Sequence, residues 1–380
     1  MYIRKQTFHD IGQESTFLWG ARQTGKSTLL QTLFPESTYF DLLLSDLYER
    51  LQKNPSLIRE TILASGYKSP VIVDEIQRIP ALLNEIHWLI VNKNIQFILS
   101  GSSPRKIFRT GANLLGGRAL RSELYPLVYK EIPDFNLIRA LNHGLLPRHY
   151  ISKNPTPLIS AYIGSYLQDE IVAEARARNI QTFSRFLEAA AFSNGEVINF
   201  SNIAAECGVS APTIREYFNI LEETLIGRFL PSYRKKPKRR VIQSPKFYLF
   251  DIAIANYLLK RRSIEAGSEL FGRTFEHYIY HELHAHSRYS GLQYEISYWR
   301  TTSQIEIDFV LGDHEVGIEV KGSNQITPRH LKGLKHFAEE YRVKELILVS
   351  TDPFPRQVGN VNLMPWKLFL DKLWGGEIIS

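Results

Sequence analysis

The chain has 380 residues, of which 44% are hydrophobic, and a formal net charge of +7. This length suffices for two or three globular domains, and the charge favours polyanionic partners. The single cysteine, Cys207, excludes an internal disulfide and a cysteine-based zinc site. The basic N-terminus lacks the apolar stretch of a signal peptide, and no segment approaches the roughly 18 apolar residues of a membrane helix. We therefore expect a cytoplasmic protein without a membrane partner.

The first predicted strand, TFLW, leads into G-x-x-x-x-G-K-S and then an apolar-periodic helix. In a P-loop, backbone N–H groups of the glycine-rich turn face phosphates, and the helix adds its positive N-terminal dipole. Lys26 would contact the β- and γ-phosphates of ATP, and Ser27 would bind Mg²⁺; the alternative is an ordinary glycine turn. The residues predicted to bind nucleotide here are Gly20, Ala21, Arg22, Gln23, Thr24, Gly25, Lys26, Ser27 and Thr28.

Three further strands, in STYFDL, PVIVDE and IQFILSG, alternate with helical segments, which predicts a parallel sheet with crossover helices. Asp74 and Glu75 end the second of them, at the carboxyl end where ligands bind in open α/β sheets. We expect Asp74 to support Mg²⁺ and Glu75 to polarise the attacking water, although such a pair is also a common solvated cap. Ser100 or Ser102, after the third strand, could sense the γ-phosphate.

Arg118 lies in the glycine-flanked turn LLGGRAL. An arginine there could act as a finger on the nucleotide of a neighbouring subunit, in a homo-oligomer. A surface ion pair is the alternative.

The order of GARQTGKST, VIVDEIQ, FILSGSS and LLGGRALRSELYPL resembles the AAA-type ATPases of prokaryotes that carry a C-terminal domain of unknown function. Later segments are similar to that family as well: ISAYIGSYLQDEI, PKFYLFD, ELFGRTFEHYIYHEL and IEIDFVLG with VGIEVKG. The resemblance extends over nearly the whole chain. It implies the domain architecture of the protein more than its biological role.

Helical periodicity dominates from about residue 157 to 230, and one part of it matches a helix-turn-helix. Gly208 would make the turn and Ser210 would cap the second helix. As a recognition helix, it would direct Thr213, Arg215 and Tyr217 toward a groove of the nucleic acid.

Six of the seven residues from Arg234 to Arg240 are basic, where a winged helix has its wing. Such dense positive charge suits phosphate contacts, with DNA the favoured partner. Winged helices can also dock proteins. The competing hypothesis is therefore an ATP-driven regulatory switch that docks a protein partner here.

The last segment is predicted to be a second α/β unit, with a long helix before the strands LQYEISYWR, IEIDFVLG, VGIEVKG and LILVS. Asp308 lies on one strand, and Glu319 and Lys321 share a face of the next. Glu276 on the helix could complete the cluster. Such carboxylates suit Mg²⁺ or Mn²⁺, with Lys321 at the hydroxide that attacks a phosphodiester.

The D-x10-E-x-K spacing of these residues resembles the PD-(D/E)XK nuclease core. A nucleic-acid-binding relic of a nuclease and a structural ion pair are the other hypotheses. In the competing hypothesis of a protein-docking switch, this nuclease-like domain is catalytically inactive. The helix also carries His277, His281, His284 and His286, which we expect on an exposed helix face rather than around a metal.

The sequence thus predicts an α/β protein in three parts. Residues 1–150 would form a P-loop NTPase parallel sheet, residues 151–250 a helical and winged-helix domain, and residues 251–380 an α/β restriction-endonuclease-like domain. We expect the protein to bind and hydrolyse ATP, to engage nucleic acid, and to cut it if the C-terminal cluster is active. Nucleotide hydrolysis would change the geometry between the core and the DNA-facing domains.

Overall fold

A computed structural model describes residues 2–8, 14–105, 107, 115–164, 180–235, 240–261 and 263–380. The chain forms two compact units. Unit 1 comprises residues 3–126 and 223–226, and unit 2 comprises residues 127–222 and 227–380 together with Tyr2.

Unit 1 is built on a five-stranded parallel sheet with the order β2-β3-β4-β1-β5. The three central strands are buried along their whole length, as expected for a parallel sheet covered by helices, whereas the edge strand at residues 119–123 is partly exposed. Because the strands are parallel, all their carboxyl ends lie at one end of the sheet. The strands are β1 (Ser15–Trp19), β2 (Tyr39–Asp41), β3 (Val71–Asp74), β4 (Phe97–Gly101) and β5 (Ala119–Glu123), and the helices are α1 (Lys26–Leu33), α2 (Ser45–Lys53), α3 (Ser56–Ser65) and α4 (Leu82–Lys93).

Unit 2 begins with a helical part. Its described helices are α5 (Leu137–His143), α6 (Pro147–Ile151), α7 (Thr156–Ala161), α8 (Ile180–Phe192), α9 (Phe200–Cys207), α10 (Ala211–Glu223) and α11 (Ile252–Leu258). Gly208, with a φ of 69°, ends α9 in the left-handed region that favours glycine. The antiparallel hairpin of β6 (Gly227–Leu230) and β7 (Lys246–Leu249) follows α10.

The rest of unit 2 is a six-stranded mixed sheet with the order β12-β13-β11-β10-β9-β8. The strands are β8 (Ile296–Arg300), β9 (Glu306–Leu311), β10 (Val316–Lys321), β11 (Glu345–Ser350), β12 (Arg356–Val358) and β13 (Val361–Pro365), and the helices are α12 (Glu269–Tyr289), α13 (Lys332–Glu340) and α14 (Trp366–Trp374). Phe275 of α12 and Ile318 of β10 share one apolar core, and Phe337 of α13 and Leu348 of β11 share a second. The sheet is therefore packed on both faces.

The two described ends of the connection between β6 and β7 pair with the outer side of β8. The Tyr233 N–H donates to the Tyr298 carbonyl at 2.7 Å, and the Tyr298 N–H donates to the Pro231 carbonyl at 2.9 Å. Farther along, the Ile242 N–H donates to the Arg300 carbonyl at 2.9 Å. Both described ends of the basic segment are thus fixed to this sheet.

The α/β class is confirmed, as are the parallel N-terminal sheet, the helical middle part and the mixed C-terminal sheet. The domain boundaries at 150 and 250 stay predictions. In the described ranges, no helix combines the length and the apolar character that a membrane span requires.

Candidate functional site

The predicted P-loop connects β1 to α1 in unit 1. Gly25 has a φ of 97° and Gln23 a φ of 64°, so the loop turns twice through the left-handed region. The Lys26 ammonium donates to the carbonyls of Gly20 and Ala21 at 2.7 and 3.3 Å. Burial lowers the pKa of Lys26 to about 8, with Glu75 and Asp74 opposing the shift. At neutral pH, Lys26 therefore stays charged in the loop.

The first turn of α1 contains no acidic residue. Its first N–H groups have no partner inside the helix, and they concentrate the positive end of the helix dipole. The predicted nucleotide-binding residues from Gly20 to Thr28 all lie in this loop and in the start of α1. Together they form a site suited to phosphate.

Asp74 is buried at the end of β3 and is held by three hydroxyl groups. Ser27 Oγ and Tyr39 OH donate to Asp74 Oδ2 at 2.6 and 2.7 Å, and Ser100 Oγ donates to Oδ1. The structure thus brings Ser27, Asp74 and Ser100 together from three parts of the chain. Hydroxyl and carboxylate oxygens are the ligands that Mg²⁺ prefers, so Ser27 and Asp74 fit the predicted metal.

Glu75 follows Asp74 with a φ of 62°. Gln77 Nε2 donates to Glu75 Oε2 at 2.5 Å and to Ser102 Oγ at 3.0 Å. Gln77 is buried, and its Oε1 has no hydrogen-bond partner. A Cβ at Gly101 would lie only 2.3 Å from this Oε1 and 2.6 Å from the Trp19 ring, so the position admits only glycine. Through its Nε2 group, the buried Gln77 fixes the Oε2 atom of the Glu75 carboxylate.

Tyr39 and Gln77 were missed by sequence reasoning. Gln77 stands two residues after Glu75, which could have indicated a contact. Tyr39 reaches Asp74 because β2 pairs with β3, and no local pattern signals that pairing.

Arg118 lies away from the P-loop of its own chain. It directly precedes β5, whose first residue, Ala119, is level with Ser15 at the start of β1, whereas the P-loop follows the end of β1. Five strand residues of about 3.3 Å each separate the two positions by about 16 Å. Arg118 is exposed, with Nη1 3.3 Å from His87 Nε2. Its predicted finger role thus requires a second copy and stays a prediction.

In unit 2, Asp308, Glu319 and Lys321 lie together where β9 and β10 diverge. The regular pairing ends at Ile318 and Phe309, and beyond it the Val320 N–H donates to Asp308 Oδ2 at 2.7 Å. Lys321 Nζ is 2.6 Å from Glu319 Oε1 and 4.0 Å from Asp308 Oδ2. Glu319 Oε2 is buried without a hydrogen-bond partner.

Both carboxyl groups of this set have raised pKa values. Burial raises the pKa of Asp308 well above its usual value, and Glu319 and Glu276 raise it further. Burial also raises the pKa of Glu319, against the effect of Lys321. For Lys321, burial lowers the pKa, but Asp308 and Glu319 outweigh it and the net shift is upward. A further cation would relieve the two carboxylates.

Glu276 has a different partner from the one predicted. Lys246 Nζ is 3.2 Å from Glu276 Oε1, and Tyr248 OH donates to the same oxygen at 2.6 Å. Burial opposes ionisation of Glu276, but Lys246 and Tyr248 outweigh it and lower its pKa. Among the described residues, no group of three or more His, Cys, Asp or Glu side chains could hold a metal ion. The predicted three-carboxylate metal site is thus not formed, because an ammonium group occupies Glu276.

The prediction that the histidines of α12 lie on an exposed helix face is wrong. His277, His281 and His286 are buried. His277 Nε2 donates to the Leu249 carbonyl at 2.7 Å, and Nδ1 accepts from Asn194 Nδ2 at 3.2 Å. Burial lowers the pKa of His277 to about 4. At neutral pH this histidine is uncharged, and its two hydrogen bonds give it a structural role. It is buried because α12 is packed on more than one side.

In the predicted recognition helix, α10, one of the three residues expected to face the nucleic acid is instead buried in the protein. Tyr217 is buried against Phe183 and Phe186, with ring centroids 5.2 Å away in both cases. It continues the buried stripe of α10, which has helical spacing. Arg215 is exposed, and its guanidinium lies over the Phe200 ring at 4.1 Å. In the basic segment, Lys235 pairs with Asp313, and residues 236–239 lie outside the described ranges.

Comparison with known families divides the chain into three matches. The AAA domain family matches residues 12–133, and two domains of unknown function, DUF8612 and DUF4143, match residues 134–265 and 271–369. The first match covers the P-loop together with Asp74 and Glu75. The last covers Glu276, Asp308, Glu319 and Lys321.

Similar curated proteins are described as uncharacterized. One from Mycobacterium tuberculosis is 25% identical over 349 residues, which cover 87% of this chain and 75% of the relative. One from Haemophilus influenzae is 22% identical over 282 residues, which cover 66% of this chain and 70% of the relative. A solved structure, the Aeropyrum pernix ORC1 protein in complex with DNA, covers 65% of this chain and 86% of its own at 13% identity and a TM-score of 0.22. That score is too low to establish a common fold.

Proposed function

From the AAA domain match over residues 12–133, we propose that the protein binds ATP with Mg²⁺ and hydrolyses it in unit 1. The observation that carries this proposal is the contact between Ser27 Oγ and Asp74 Oδ2 at 2.6 Å, beside the buried Lys26. The ammonium and hydroxyl groups of two adjacent loop residues thus lie beside a carboxylate from the end of β3, 47 residues further along the chain. Ser27 and Asp74 would hold Mg²⁺, which would neutralise charge on the phosphates.

The chain's own groups have distinct roles in this proposal. Lys26 would leave the loop carbonyls and contact the phosphates, while the N–H groups at the start of α1 bind phosphate oxygens. Glu75 would orient the attacking water and accept its proton. Gln77 would keep the Glu75 carboxylate in place, with one oxygen bonded and the other free for water.

Lys26→Ala should weaken ATP binding by about 10- to 150-fold, since a hydrogen bond to a charged group contributes about 1.5 to 3 kcal/mol. Titration of the purified protein with a fluorescent ATP analogue measures the affinity. Lys68→Ala is the matched control, because Lys68 is an exposed lysine of unit 1 that pairs with Glu36. Equal affinity in Lys26→Ala and the parent would show that the loop does not bind the nucleotide. A small-molecule kinase, the main rival, would consume ATP only with a phosphate acceptor present.

We further propose that unit 2 engages nucleic acid, DNA in the first place, through the basic segment. A helix pair with a turn at Gly208, followed by the hairpin of β6 and β7, supports the winged-helix interpretation. The exposed residues of α10 near Arg215 are Pro212, Glu216 and Asn219, which add no positive charge. The basic residues between Arg234 and Arg240 would therefore supply most phosphate contacts.

Replacing Lys235, Lys236, Arg239 and Arg240 with alanine should weaken binding to all DNA sequences alike. The plot of log affinity against log salt should become flatter by up to about 0.9 per lost phosphate contact, because fewer counterions are released. Fluorescence anisotropy at several salt concentrations measures this slope. The control replaces four exposed lysines elsewhere: Lys53, Lys93, Lys335 and Lys367. A slope as steep as the parent's would favour the protein-docking hypothesis instead.

A second candidate function, metal-dependent cleavage of DNA, is favoured by Glu319 Oε2, which is buried without a partner beside Asp308 and Lys321. Mg²⁺ and Mn²⁺ commonly use one or two carboxylates and keep several waters, so Asp308 and Glu319 fit such an ion. When bound, it would lower the pKa of a water and stabilise the phosphodiester transition state. Lys321 would donate to the attacking oxygen. Nicking of supercoiled DNA with Mg²⁺ or Mn²⁺, with and without ATP, tests the parent.

A further inference from the structure

Lys246 is a second lysine of the carboxylate cluster in unit 2. It lies at the start of β7 and is 3% exposed. Its Nζ is 2.5 Å from Glu306 Oε1 and 3.2 Å from Glu276 Oε1. A buried ammonium group is tolerated only when carboxylates compensate for its lost hydration. Lys246 therefore depends on Glu276 and Glu306.

Each of these two carboxylates has a second partner besides Lys246. Glu276 Oε1 also accepts from Tyr248 OH at 2.6 Å, and Glu306 Oε2 lies 3.2 Å from Arg300 Nη1. Two negative charges here face two positive charges, those of Lys246 and Arg300. This half of the cluster is neutral without any added ion.

The other half is not balanced. Asp308 and Glu319 share the ammonium group of Lys321, at 4.0 and 2.6 Å, and Lys246 acts on Asp308 more weakly than Lys321 does. Glu319 is 7% exposed, and its Oε2 has no hydrogen-bond partner. A buried carboxylate oxygen left in this way is costly unless a cation or a donor fills its side. When both carboxyl groups are ionised, the uncompensated charge and the free acceptor thus lie together at Asp308 and Glu319.

We propose that Lys246 is a resident cation, that is, a positive charge of the protein itself that pairs with Glu276 and Glu306 in place of a metal ion. The cluster then binds one divalent cation, at Asp308 and Glu319, rather than two. This inference rests on the proposed metal-dependent site of unit 2 and specifies its composition. Glu276 is then a positioning residue that orders Lys246 and Tyr248, and it is not a metal ligand.

Titration of the full chain with Mn²⁺, followed by electron paramagnetic resonance of the free ion, counts the sites without requiring cleavage. An Asp74→Asn background removes the contribution of unit 1. The parent in this background should bind one Mn²⁺. Glu276→Gln should still bind one Mn²⁺, because the amide oxygen still accepts from Tyr248 and Lys246 and no metal ligand is removed. Glu319→Gln should bind at least about 10- to 100-fold more weakly, the loss seen when even the outer partners of metal ligands are removed.

Lys246→Met provides an independent test of the inference. The substitution removes the ammonium group that pairs with Glu276 and Glu306, so a second Mn²⁺ should bind there. Mn²⁺ should then raise the melting temperature of this variant more than that of the parent. If Lys246→Met does not fold, the Glu276→Gln result still decides. Two Mn²⁺ in the parent, or loss of the site in Glu276→Gln, would overturn the resident-cation inference alone. No Mn²⁺ bound by the parent would overturn both the proposed metal site and this inference.

Discussion

Glu75→Gln should bind ATP with the parent's affinity but hydrolyse it about 10²- to 10⁴-fold more slowly, the usual contribution of a positioned general base. The glutamine side chain has the same length and keeps a carbonyl oxygen that accepts from Gln77 Nε2, which lies 2.5 Å from Glu75 Oε2. The local structure should therefore survive. What is lost is the negative charge that orients the water and accepts its proton.

Phosphate release under saturating ATP measures this turnover, and nucleotide titration measures the affinity. Glu49→Gln is the matched control, because Glu49 is an exposed glutamate of α2. Parent-like hydrolysis by Glu75→Gln would assign water activation to another group. Loss of ATP affinity in this variant would instead indicate a structural role for Glu75.

Asp308→Asn should reduce DNA cleavage by about 100-fold or more while leaving DNA affinity unchanged. Removal of an outer partner of a metal ligand already costs about 10- to 100-fold, and the substitution here removes a proposed ligand itself. Asparagine retains a carbonyl oxygen for the Val320 N–H, which lies 2.7 Å from Asp308 Oδ2. The divergence of β9 and β10 should therefore be preserved.

Nicking of supercoiled DNA and anisotropy with a labelled duplex measure the two quantities on the same preparation. Glu377→Gln, which changes an exposed partner of Lys372, serves as the control. Cleavage that persists in Asp308→Asn would place the activity elsewhere or in a contaminant. A parent that never cleaves but binds DNA would be explained by a nuclease-like domain retained for binding.

The proposed nucleotide site could be predicted largely from the sequence because its pieces are local. Lys26 and Ser27 sit in one turn of fixed geometry, and Asp74 ends a strand whose apolar residues are contiguous. Tyr39 could not be predicted in the same way. Its contact with Asp74 spans 35 residues and depends on which strand lies beside β3. Strand order is set by the packing of the whole sheet.

Only part of the carboxylate cluster could be predicted, because some of its contacts are local in the sequence and others are not. The spacing of Glu319 and Lys321 along one strand fixes their common face, and the structure places Asp308 beside them. Glu276 and Lys246 lie on a helix and a strand 30 residues apart, and their contact follows from tertiary packing. The buried His277 has the same explanation, because helical periodicity does not show how many sides of a helix will be covered.

The pairing of residues 231, 233 and 242 with β8 has a consequence for how unit 2 behaves in a concentrated solution. An open sheet edge is a template on which another chain can add a strand and begin to aggregate. At β8, the backbone groups of Tyr298 and Arg300 are already used by the chain's own connection. At the other edge, β12 is three residues long and includes Arg356, which pairs with Asp352. A short, charged edge is a poor template, so the described sheet resists edge-to-edge association on both sides.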